Sequence, residues 1–242
     1  MKLFDLDSPL MQILNKVADL MILNLLTVLF CIPVITVGPA LTAMHYVALK
    51  MARNEECYIA RDFFKSFRLN LRQGIVLWLI ELFIILVLAG DFLILNQMDI
   101  SFGKVLRVVL IVIAVVAMFT FMFVFPVLAK FDNPVLRTVR NAFFIGILQF
   151  PKTILMMILS VAPLVLFLLF PQITPIIFLY GLTVPAWLSA KLYSGYFKRL
   201  EDQITEAAAT ANPPAEGGAP EEDERIFKDE LDESLLEEPR IG

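Results

Sequence analysis

The chain has 242 residues, of which 59% are hydrophobic and only 18% charged, with 21 Phe. A soluble domain of this length has little use for so much apolar surface, and here it comes in blocks of about 20 residues, the length that crosses a hydrocarbon core. Barrel strands would alternate in short segments instead, so the fold class expected is all-α, a polytopic helical membrane protein. The formal charge of −4 hides two opposite parts: residues 1–200 hold 17 Lys/Arg against 10 Asp/Glu, and residues 201–242 hold 3 against 14.

In chain order, Asp7-Ser8-Pro9 is a helix start, an acceptor side chain followed by Pro where its missing N–H costs nothing. Leu10, Ile13, Leu14, Val17 and Met21 recur at helical spacing and lead into a first apolar block, Leu20–Val37. Pro33, Thr36, Gly38 and Pro39 then form a helix-break turn. The stretch after it, Ala40–Arg53, reaches roughly 21 Å at helical rise, short of a ~30 Å core. It is therefore expected as an interfacial or partly re-entrant helix. Further spans are expected at Ile75–Leu95, Val105–Ala129, Ile154–Phe170 and Pro175–Leu192, the last interrupted by Pro185.

Lys and Arg concentrate in the 37–74 and 130–153 loops and after the last span, whereas 96–107 carries only Lys104 and Arg107. The positive-inside rule gives five spans with the C-terminus cytoplasmic and the N-terminus outside. If Ala40–Arg53 inserts as a hairpin partner of the first span, the N-terminus moves to the cytoplasm and the rest stays.

Two stretches share an order of features. RDFFKSFRLNLRQGIVLWLI (61–80) and RNAFFIGILQFPKTILMMIL (140–159) both run basic residue, Phe-Phe, basic residue, apolar span. That is the pattern of a parallel internal repeat, or of chance likeness between apolar segments. Residues 1–200 form the transmembrane domain. Residues 201–242 are acidic and rich in Pro, Gly and Ala, the composition of a disordered cytoplasmic tail. Near its end Ile226, Phe227, Leu231 and Leu235 fall at spacing that a helix places on one face, a candidate partner motif.

Glu81 and Asp91 are the candidate polar intramembrane positions. A carboxylate near the bilayer centre costs about 2.5–3.5 kcal/mol on insertion scales, so it faces a partner or a water-filled cavity. His45, the only histidine, suits a headgroup or helix–helix hydrogen bond better than a metal, since no second His or paired Cys spacing accompanies it. Cys31 and Cys57 form no metal or disulfide spacing. No phosphate loop, nucleotide fingerprint, hydrolase elbow or HExxH is present, so no enzyme, cofactor or metal is expected. The basic, Phe-containing loop at 50–72 suits anionic lipid contact or topology signalling rather than nucleic acid.

Three stretches in order, LFDLDSPLMQILNKVADLMILNLL, IPVITVGPALTAMHYVALKMARNEE and DFFKSFRLNLRQG, carry a resemblance. The chain resembles the YesL family of bacterial integral membrane proteins over roughly residues 3–200, most specifically over 22–74. The late RIFKDEL also resembles the tail ending of such proteins. The family has no established activity and offers no catalytic residues to carry over. Its association with carbohydrate uptake and breakdown implies an accessory or scaffold protein of the bacterial cell membrane, partnering lipids and a sugar ABC transporter permease or another membrane protein. The competing expectation is a small transporter or channel that uses the broken first helix and Glu81.

Overall fold

The computed structural model describes residues 9–97 and 103–211, and within them regular structure is helical. Helix α1 (Pro9–Cys31) ends where Pro33 would have to supply an N–H it lacks. A 3-10 turn, Val34–Thr36, reverses the chain. There the Thr36 hydroxyl donates to Phe30 O at 2.7 Å and Pro33 O at 2.9 Å, two carbonyls in reach of the break. Helix α2 (Val37–Arg53) then returns beside α1: Lys16 Nζ donates to Asn54 Oδ1 at 3.0 Å. The start of α1 and the end of α2 thus share one end of the bundle. Asn54 closes α2 in the left-handed conformation, φ 55°, and its N–H and that of Glu55 satisfy the last carbonyls.

This corrects the expectation of an interfacial α2. The helix is central: Ala40, Ala43, Val47 and Ala48 are fully buried. Two physical reasons apply. Gly38 and Pro39 lie in its first turn, where Pro is harmless, so the helix starts at Val37 rather than Ala40. Its small residues give it low hydropathy, yet they let neighbouring helices approach closely, and protein rather than lipid surrounds it.

Helix α3 (Ile59–Leu69) packs Phe63 and Phe67 inward around Phe30, with ring centroids 5.8 and 4.9 Å away. Asn70 separates it from α4 (Leu71–Gln97), and the Asn70 side chain donates back to Ser66 O at 3.0 Å. Helix α5 (Gly103–Lys130) is followed by α6 (Val135–Leu148), and Gln149 separates α6 from α7 (Phe150–Leu169). The blocks 61–80 and 140–159 therefore occupy matching elements: a short helix, a one-residue corner and a long apolar helix. Each corner packs a glycine tightly, Gly74 against Pro39 and Gly146 against Phe119.

The expected fifth span becomes two helices, α8 (Thr174–Tyr180) and α9 (Thr183–Ala211), bent by 56°. The bend is not made by Pro185, which sits harmlessly in the first turn of α9. It falls at Gly181-Leu182. Helix α9 also continues through Ala211, past the expected domain boundary at 200, and both Glu201 and Ile204 are buried.

Five described helices are long and apolar enough to cross a membrane, six crossings if α8 and α9 count as one. Apolar side chains of α4, the first part of α5 and α7 face outward, as lipid contact requires. Inside, α2, α5 and α9 run in the same direction. His45 and Arg53 of α2 meet Tyr193 and Glu201 of α9, and Phe123 of α5 and Phe131 just after it meet Tyr193 and Phe197.

Gly38 fixes how closely α2 meets α4. A Cβ there would collide with Gly74 O and stand 2.7 Å from Trp78 Cβ. Gly38→Leu is expected to lower detergent-solubilised stability by about 1–3 kcal/mol, since backbone cannot give way as a flexible side chain does. Leu86→Ala and Ile113→Ala, on exposed faces, are expected to change it little. Thermal melts of the three variants check this, and an unchanged Gly38→Leu melt would remove the close approach from the account.

Candidate functional site

Two polar centres lie within the bundle, and neither was legible as a motif. The first is built on Asn24 in the middle of α1, fully buried. Breaking a helix between Tyr180 and Thr183 leaves carbonyls on one side and N–H groups on the other without partners. Asn24 serves both sides. Its Nδ2 donates to Phe178 O at 2.8 Å, and its Oδ1 accepts from Leu182 N at 3.0 Å and Thr183 N at 3.2 Å. The Thr183 hydroxyl donates to Leu20 O at 3.0 Å, which ties the break to the backbone of α1. A broken span is thus held in one bent shape by a single side chain from another helix.

The second centre closes the shared end of α2, α5 and α9. Arg53 holds Glu201 in a two-point pair, Nη2–Oε1 2.8 Å and Nη1–Oε2 3.0 Å, and also donates to Ser194 O at 3.3 Å. Lys130 Nζ lies 3.5 Å from the same carboxylate, so one anion on α9 joins the C-terminal ends of α2 and α5. Beside it, Lys50 pairs with Asp62 at 3.1 Å, and Asp62 also accepts the Tyr58 N–H. A cavity of about 450 Å³ opens here, lined by these cations with Lys198, Glu55 and Asp202. Its charges nearly cancel, so it is not an anion trap. Next to Asp62, burial and then the carboxylate's hydrogen bond push the Cys57 thiol up to about 12. Alkylation of Cys57 by a maleimide at pH 7 is expected to be far slower than that of a free thiol and to climb steadily with pH. A rate equal to that of free cysteine would contradict this environment.

The residues singled out from sequence do not converge. Glu81 is half-buried on α4, its Oε2 buried with no hydrogen-bond partner among the described residues. Asp91 is exposed on the same helix, ten residues on. His45 faces the Tyr193 hydroxyl at 3.5 Å, a helix–helix contact. Pro33 and Thr36 lie in the turn between α1 and α2, whereas Gly38 and Pro39 lie in the first turn of α2, where Gly38 packs tightly against Gly74 and Trp78 of α4. Ile226, Phe227, Leu231 and Leu235 lie outside the described residues. Among the described residues no group of three or more His, Cys, Asp or Glu is placed to hold a metal ion.

A family profile described as "Protein of unknown function, DUF624" matches residues 20–92. Over 191 residues the chain is 30% identical to the "Uncharacterized protein YesL" of Bacillus subtilis (strain 168), covering 77% of this chain and 89% of that protein. The chain belongs to the YesL family. No solved structure matches it. The stretch matched to DUF624 contains Asn24, the break at Pro33–Pro39 and Arg53, whereas Lys130 and Glu201 lie beyond it. The pairwise match to YesL extends over most of the membrane body.

Proposed function

We propose that this YesL-family protein is a non-enzymatic accessory or scaffold protein of the bacterial cell membrane, associated with carbohydrate uptake and working through a membrane partner such as a sugar ABC permease. One observation carries this reading. The space between α2, α5 and α9, where a conduction path would run, is filled by Tyr193, Phe123, Phe197 and Val47, each with no exposed surface. A packed interior leaves the outer faces of the bundle to meet other molecules. The association with carbohydrate uptake rests on the family resemblance alone.

The same reading places both ends of the chain in the cytoplasm. Lys50, Arg53, Lys130 and Lys198 gather at the end of the bundle that also holds Asn54 and Lys16, and such cationic ends stay inside. The N-terminus is then cytoplasmic, the arrangement in which α2 pairs with α1 as a hairpin. On this reading the segment with Ile226, Phe227, Leu231 and Leu235 lies on the cytoplasmic side and meets the partner there.

The test is purification of the tagged full chain in mild detergent from its own host, grown on several carbohydrates. Permease subunits are expected to co-purify on at least one of them. Recovery of the protein alone on every carbon source, together with solute flux through vesicles that contain only this chain, would overturn the reading in favour of a transporter built around Glu81.

A further inference from the structure

We propose that the groove between α5 and α6 is a seat for one anionic phospholipid. The groove, about 470 Å³ and wide-mouthed, is lined by Thr120 of α5 and by Leu136, Arg137, Val139, Arg140 and Phe143 of α6. Positions 136, 139, 140 and 143 repeat at helical spacing, so one face of α6 forms the wall. That wall is mostly apolar, and Arg137 and Arg140, about one helical turn apart, bring the two positive charges to it.

Two features distinguish this groove from an ordinary surface dent. The first is continuity with the lipid-facing surface. Val112, Val115 and Val116 of α5 are exposed immediately before Thr120, and the Thr120 hydroxyl is turned onto Val116 O at 3.0 Å. The apolar track therefore runs from the membrane-facing part of α5 into the groove without a polar interruption. The second is Leu136, 85% exposed, the most exposed large apolar side chain among the described residues. It stands beside the arginines on the first turn of α6, where an acyl chain would cover it.

The two ends of the groove match the two ends of a phospholipid. Acyl carbons fit the Thr120–Val139–Phe143 side, and the phosphate fits between Arg137 and Arg140. Each guanidinium has five N–H donors in a planar fork, so it can keep a partner within the protein and still bind phosphate oxygens. A zwitterionic lipid brings the same phosphate with a cationic group that the arginines repel, which gives the preference for an anionic headgroup. This proposal needs only that the chain is embedded in a bilayer, and it stands apart from the partner reading above.

The experiment uses the full chain, reconstituted in vesicles of equal phosphatidylglycerol and phosphatidylcholine, re-extracted in mild detergent and weighed by native mass spectrometry. One retained phosphatidylglycerol, favoured over phosphatidylcholine by about tenfold, is expected. Arg137→Gln/Arg140→Gln should bring that ratio near one, whereas Lys65→Gln/Arg68→Gln on α3 should leave it unchanged. Leu136→Glu provides a second route, because a side chain this exposed can be changed without disturbing the fold. Its carboxylate at the groove mouth should expel the anionic lipid. The proposal is overturned if the arginine pair or Leu136→Glu keeps the full preference. It also fails if the α3 variant loses the preference equally, which would mean general surface attraction, or if inorganic phosphate alone displaces the lipid.

Discussion

Asn24→Leu is expected to be the most damaging single substitution in the membrane body. Leucine keeps the branched skeleton of asparagine, with the same number of side-chain heavy atoms, but bonds to nothing, so Phe178 O, Leu182 N–H and Thr183 N–H lose their side-chain partner at once. Each buried unpaired group costs about 1–3 kcal/mol, and away from water no solvent molecule relieves it, so a loss of about 3 kcal/mol or more is expected. Thr27→Val, three residues along α1, is the control. Its hydroxyl donates only to Leu23 O within its own helix, and such a bond contributes little. Thermal melts in detergent should separate the two variants clearly. If Asn24→Leu melts with the wild type, the break at 181–182 does not depend on α1.

The second large effect is expected at Glu201. Glu201→Ala leaves Arg53 and Lys130 facing each other without the anion between them, at side chains only 14% and 10% exposed. Removing one partner of a fully buried pair costs about 3–5 kcal/mol, and the remaining access to water trims that to roughly 2–3 kcal/mol here. The double variant Arg53→Ala/Glu201→Ala removes one of the two cations that lose the Glu201 carboxylate and is expected to recover part of the loss, a positive coupling in a double-mutant cycle. Additive losses would mean the two residues stabilise the fold independently. Because the pair lies largely out of water, added salt should change the single-variant melt little.

Local signals accounted for much of the fold. The break near Pro33 and the long apolar spans follow from residue type within a window of a few turns, and the helix start expected at Asp7-Ser8 lies outside the described residues. The likeness of 61–80 to 140–159 was visible because both stretches encode the same corner between a short and a long helix. What sequence did not give depends on distant contacts. Asn24 stood as one polar residue in an apolar run, yet its partners are more than 150 positions away. The signal was present in type: a polar amide at that depth needs a partner for the same reason a carboxylate does, although only Glu81 and Asp91 were singled out. Glu201 looked like the first residue of an acidic tail because Asp202 and the acids beyond it continue the same composition. Its role became visible only with Arg53, 148 positions earlier, beside it. Helix α2 was misjudged because hydropathy ranks fitness for lipid, and a helix of small residues surrounded by other helices does not need that fitness.

The central claim is the α1–α2 hairpin, since it makes α2 a helix of the bundle interior and sets the side of the membrane on which the N-terminus lies. The direct measurement is a pair of reporter fusions, one before Met1 and one after Gly242, each active only in the cytoplasm or only outside it. Both termini are expected to report cytoplasmic. A cytoplasmic C-terminus with an external N-terminus would mean that α1 crosses the membrane alone, contradicting the hairpin and the placement of Lys16 beside Asn54.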